Sequence, residues 1–157
     1  WDKVDPRVSL ERRGLTPHWF PSLDETCDCV FMIGAHAMAG TPRAFLEHTQ
    51  SSRDWFDFKI NGTSQGEVGQ LASYAGAYRV PLALVTGDRA VCEEMHRLFP
   101  GTVTAEVKTA TYRKHCTCHP IEHCRKLLRE RTAEAVQAGK IEPWVLPPPW
   151  DRCPPRA

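Results

Sequence analysis

Two histidines and a carboxylate recur close together in the first half of the chain. His36 closes Gly34-Ala35-His36, His48 lies a short way beyond Gly40-Thr41-Pro42, and Glu67 sits in Gly66-Glu67-Val68-Gly69. Imidazoles and carboxylates are the donors that catalytic zinc sites draw on, and such sites keep one coordination position open for water or substrate. The surrounding glycines lack a Cβ, so backbone and substrate can approach closely there. The pattern points to metal-assisted hydrolysis rather than to a binding module. Taken singly, each residue also has an ordinary reading. A histidine beside a strand end is often a satisfied structural residue, and an acid at a helix start is favoured by the helix dipole alone. The constellation carries the argument. Upstream of His36 there are too few further ligands to finish such a site, so the chain reads as part of an enzyme.

The elements that must position these residues follow from hydrophobic periodicity. Residues 29–33 form a continuous apolar run ending at Gly34, the pattern of a strand covered on both faces, which puts His36 just past its carboxyl end. Ligands collect at that position in open α/β sheets. Residues 57–63 alternate and then reach Asn61-Gly62, a hairpin turn signal. Val68, Leu71, Ala72, Ala75 and Tyr78 recur at helical spacing, which places Glu67 in or next to the first turn of a helix, where the dipole favours the ionised form that coordinates metal. Residues 81–86 predict a second buried strand, 89–98 a helix with Val91, Met95 and Leu98 on one side, and 102–107 a third strand. Pro120 opens a long helix reaching about Ala138, with Ile121, Cys124, Leu128 and Ala135 facing inward. Strands alternating with helices predict an α/β fold, a layered domain with a largely parallel sheet flanked by helices. We assign residues 1–142 to that domain and 143–157 to a proline-rich tail, which Trp144 and Trp150 are expected to pin to the body or to another subunit.

Composition narrows the function classes. A 157-residue chain can bury roughly 68–70% of its unfolded surface, enough for a core without help from metal or disulfides. The formal charge of +1, with acids and bases interspersed, makes no field suited to nucleic acid or an anionic membrane. No apolar stretch approaches the ~20 residues that span a bilayer, and no signal peptide is visible. Seven cysteines is an odd count without a regular secreted spacing, so a reduced cytoplasmic setting is expected. Cys92 and Cys124 fall in helical patterns as small apolar residues.

Beyond these readings, an ordered series of segments resembles a known family. Residues 31–42, then His48-Thr49, Ile60-Asn61-Gly62, Gly66-Glu67-Val68-Gly69, Val80-Pro81-Leu82 and Thr86-Gly87-Asp88-Arg89 look like the zinc-dependent D-aminopeptidases, the DppA-type metallopeptidases. Residues 103–108 continue the similarity in order, and the resemblance covers about residues 17–138, the middle section of that family's longer chain. It implies a hydrolase that releases an amino-terminal D-residue from short peptides and works as a ring-shaped homo-oligomer. It implies a site with two zinc ions sharing a bridging aspartate, of which His36 and Glu67 would bind one, and it implies that His48 is the catalytic residue beside the metal pair. An imidazole there can attack or transfer protons, and the residues leave that choice open. The family's amino-terminal strand with its Asp-x-Glu motif, and a further histidine, have no counterpart in this sequence. At most a partial zinc site is therefore expected within it. A non-catalytic shortened homologue acting as a scaffold or interaction subunit is the alternative.

A second cluster, His115-Cys116-Thr117-Cys118-His119 with His123-Cys124, has the thiolates and imidazoles of a structural zinc site. Pro120 divides it, and neighbours on a helix point about 100° apart, so few of these groups could converge. We read it as a loop leading into the helix, with one buried cysteine.

Overall fold

The run at residues 81–86 becomes the central strand of the molecule. In the computed structural model, which describes residues 4–11, 19–137 and 141–147, β4 (Leu82–Asp88) is buried at every position. It pairs in parallel with β1 (Val30–Ala35) on one side and β5 (Val103–Tyr112) on the other, and β6 (His115–Cys118) adds to β5 antiparallel. The order is β1-β4-β5-β6. Helix α1 (Glu67–Ala77) makes the crossover from β1 to β4, and α2 (Arg89–Leu98) the crossover from β4 to β5. Parallel crossovers are right-handed, so two successive ones moving the same way across a sheet leave both helices on one face. There Val68, Leu71, Val91 and Met95 pack with Leu82 and Val85. Helix α3 (Ile121–Gln137) covers the opposite face, where Ala135 joins Ala83, Leu84 and Val103. The molecule is thus an α/β fold with a largely parallel sheet flanked by helices.

Local signals place several elements where the sequence puts them. Asn61 and Gly62 have φ of 48° and 78°, the left-handed pair of a tight hairpin turn between β2 (Lys59–Ile60) and β3 (Thr63–Ser64). Trp144 packs edge-on against Phe99, with ring centroids 5.0 Å apart, and its backbone fills the space a Cβ would need at Gly76. The expected contacts of Trp150 and the helix end at Ala138 lie outside the described residues.

Other expectations are corrected. β1 is covered on both faces only along its first part, Met32 packing with the α1–α2 cluster and Phe31 with the α3 cluster; Ile33 is 68% exposed, and among the described residues the strand has a neighbour on one side only. A continuous apolar run reads the same in a central strand and at an edge. β5 continues to Tyr112, because Cys116 and Cys118 lie not in a loop but on β6, which holds the extension through the register Lys108↔Cys118 and Ala110↔Cys116. Ile121 points outward, 67% exposed, whereas Ala135 is buried. No helix among the described residues is long and apolar enough to cross a membrane.

Candidate active site

His36, His48 and Glu67 come together at the carboxyl end of β1 and the amino end of α1. His36 follows the strand directly and donates from Nδ1 to the Phe45 carbonyl at 2.8 Å. His48 donates from Nδ1 to the Leu46 carbonyl at 2.7 Å, and its backbone amide bonds the Ala37 carbonyl at 3.1 Å. The two rings lie 5.3 Å apart. His48 Nε2 stands 3.4 Å from Glu67 Oε1, with about a quarter of each side chain exposed. A carbonyl can only accept, so both imidazoles donate from Nδ1, which leaves the Nε2 of His48 facing Glu67 and that of His36 without a partner among the described residues. A neutral His48 would direct a lone pair at the Glu67 carboxylate; the contact becomes favourable when Nε2 carries a proton or when a cation lies between the two.

The loop bearing His48 is tied down from three sides. Asp88 is fully buried at the end of β4; its Oδ2 accepts from the Phe45 amide at 2.6 Å and its Oδ1 caps α2 by accepting from Val91 at 3.2 Å. The Arg113 carbonyl accepts from the Leu46 amide at 2.7 Å, and the Arg113 guanidinium pairs with Glu47 at 3.1 Å. Thr49, fully buried, accepts from the Ala39 amide. Arg43, Leu46 and Gln50 all adopt positive φ in this loop, a conformation that persists only where such ties over-determine it. Gly87 lets β1 approach, since a Cβ there would lie 2.5 Å from the Ala35 carbonyl.

Glu94 joins the two ligand-bearing segments from beneath. It is 3% exposed on α2; Oε2 accepts from the Met38 amide at 2.7 Å, while Oε1 lies toward Gly66, short of full hydrogen-bond geometry. Burial raises the carboxyl above the ordinary value of 4.5, and the Met38 and Gly66 amides offset only part of that. As pH climbs past 4.5 the unfolded chain gives up this proton before the folded one does, so stability falls through the window above that value. Glu94→Gln is expected to flatten that segment of the stability–pH curve, checked by urea unfolding at several pH values; a curve parallel to wild type would remove Glu94 as its source.

Asp88 and Glu94 were not singled out by the sequence reading, although each carries a signal. Gly87-Asp88 precedes a helix, and aspartate is a preferred N-cap. Glu94 falls among Val91 and Met95 on the inward side of α2, where an acid is out of place.

Comparison with known proteins places the chain. The family model described as D-aminopeptidase, peptidase family M55, matches residues 3–152. The chain belongs to the M55 D-aminopeptidase family. It is 33% identical over 148 residues to the D-aminopeptidase of Bacillus subtilis strain 168, covering 93% of this chain and 53% of that protein. Its fold superposes with a TM-score of 0.86, at 32% identity and the same coverage, on a solved structure described as Zn-dependent D-aminopeptidase DppA from Bacillus subtilis, a self-compartmentalizing protease. The chain therefore spans about half the length of the M55 relatives it matches, and those relatives are peptidases.

Zinc suits the donors that this family member presents. His36 offers a free Nε2, its tautomer fixed by a backbone carbonyl as in metal-ligating imidazoles, and Glu67 offers a carboxylate at a helix amino terminus. Among the described residues no group of three or more His, Cys, Asp or Glu is placed to hold a metal, so these two supply only part of a coordination shell, which for zinc numbers about four. The second cluster is spread out. His115 stacks on Tyr112, His119 pairs with Glu106 at 3.3 Å, and the Cys124 thiol reaches the Val107 and His119 carbonyls. Burial pushes the Cys92 thiol up to about 12, an inert thiol in the core.

Proposed function

We propose that this chain is the part of a zinc-dependent D-aminopeptidase that presents the catalytic histidine and one side of the metal site to a short peptide. The convergence of His36, His48 and Glu67, with the two rings 5.3 Å apart and His48 Nε2 facing Glu67, supports this reading most directly. His36 through Nε2 and Glu67 through its carboxylate would hold a zinc ion, which when bound polarises a carbonyl or acidifies water. Groups outside the described residues would complete the shell, as expected where the relatives are about twice as long.

His48 would hold or move a proton at Nε2, or attack from it, beside the scissile carbonyl. Its Nδ1–H bond to Leu46 keeps the ring edge in place while Nε2 changes state. The tied loop restricts the imidazole to one pose, the positioning that proximity catalysis requires. We carry over from the family a homo-oligomer, ring-shaped, that admits short peptides, and from the odd, irregularly spaced cysteines we propose a cytoplasmic setting in which they stay reduced.

The test is chelation of the full natural chain, with D-alanine release from D-alanylglycine against the L-isomer as the readout. Activity is expected to vanish with zinc, return on zinc addition and favour the D-peptide. Hydrolysis indifferent to chelation would overturn the metal assignment, and equal rates on the two isomers would overturn the stereochemical one. A full chain that neither binds zinc nor hydrolyses peptides would be the non-catalytic scaffold.

A further inference from the structure

Along α1, beyond the contact between His48 and Glu67, lies an open cavity of about 690 Å3, within the roughly 300–1,000 Å3 typical of ligand pockets. Trp55, Phe58, Ile60 and Tyr74 form its walls, Gln50 and Gln70 its near end, and none of its described lining residues is charged. Trp55 and Phe58 stack with centroids 5.7 Å apart, making a flat aromatic surface.

The cavity adjoins the candidate site through residues next to His48 and Glu67, although neither of those two lines it. Glu67, Gln70, Tyr74 and Ala77 recur at spacings of three and four, so they share one face of the helix. Gln50 follows His48 by two residues and donates from Nε2 to Gln70 Oε1 at 2.9 Å. The segments that carry His48 and Glu67 therefore also close the near end of the cavity. At a rise of about 1.5 Å per residue, Gln70 lies about 4.5 Å and Tyr74 about 10 Å along the axis from Glu67. An extended peptide advances about 3.3 Å per residue, so the cavity lies level with side chains roughly one to three residues from a bond held at the site.

We infer that this cavity is a specificity subsite that selects a large apolar or aromatic side chain on the peptide downstream of the scissile bond. The inference rests on the peptidase reading above and adds the substrate class. Aromatic walls reward burial of an apolar group, while a charged side chain would lose its water with no partner in return. At the near end the Gln70 amide is engaged by Gln50 and by the Gln65 carbonyl, which leaves Gln50 Oε1 and its second N–H to meet the hydrogen-bonding groups of a peptide backbone.

The experiment compares D-alanyl-L-phenylalanine with D-alanylglycine on the full natural chain. The ratio of kcat/KM is expected to favour the phenylalanine peptide roughly tenfold to hundredfold. Tyr74→Ala, which removes a wall, and Ala77→Trp, which fills the space from an exposed position, should each bring that ratio toward one. A wild-type ratio near one, or a ratio that neither variant moves, overturns the subsite. Should wild type hydrolyse neither peptide, calorimetric binding separates the two ideas. Tighter binding of the phenylalanine peptide, lost in Ala77→Trp, supports the subsite while the peptidase reading fails; equal or absent binding overturns the subsite as well.

Discussion

His48→Ala in the full natural chain is expected to keep its zinc and lose turnover, by about 10²–10⁴-fold if the imidazole serves as general acid or base, and further if it attacks directly. His36→Ala and Glu67→Ala are expected to lose zinc and activity together. The separation follows from the geometry. His36 sits at the strand end with Nε2 free, whereas His48 Nε2 already faces the Glu67 carboxylate. Removing the His48 ring leaves its backbone bond to Ala37 and the Arg113 ties on Leu46 and Glu47 in place, so the loop should hold its course. Metal analysis alongside steady-state kinetics reads both effects in one preparation. Zinc loss in His48→Ala would move that residue into the ligand set, and unchanged turnover would end its catalytic role.

The second large effect is expected from Asp88→Ala. Losing the cap on α2 costs about 1 kcal/mol. Leaving the half-buried Phe45 amide without its acceptor adds about 1–3 kcal/mol. The sum, roughly 2–4 kcal/mol, should appear as a lower urea midpoint with an unchanged slope. Activity should fall as well, because Phe45 is the residue whose carbonyl orients His36. Asp88→Asn, which keeps one acceptor, should recover part of the stability. A loss well under 1 kcal/mol in Asp88→Ala would mean that the loop finds another donor–acceptor arrangement, and the link from β4 to His36 would be withdrawn.

What was legible beforehand was local chemistry. The turn at Asn61-Gly62 needs two residues tolerant of positive φ, and the chain supplies them side by side. The helix over Arg89–Leu98 begins after an aspartate cap and keeps an apolar stripe, and its bounds in the fold agree with the expectation. Glu67 stands in the first turn of α1 for the same kind of reason.

Whatever depends on a distant partner stayed hidden. An apolar run cannot report how many strands flank it, so among the described residues β1 has one strand neighbour and turns Ile33 outward. Cys116 and Cys118 looked like loop residues until β5 offered them a neighbour. The sequence by itself determined the α/β class, the helix that presents Glu67 and the three residue types that could do chemistry. Only the tertiary structure decided that His48 meets Glu67, that Asp88 and Glu94 hold the two segments from below, and that Gln50 and Gln70 close one end of an aromatic cavity. Periodicity is a property of neighbours along the chain, whereas a site is made by groups that the chain separates and only packing brings together.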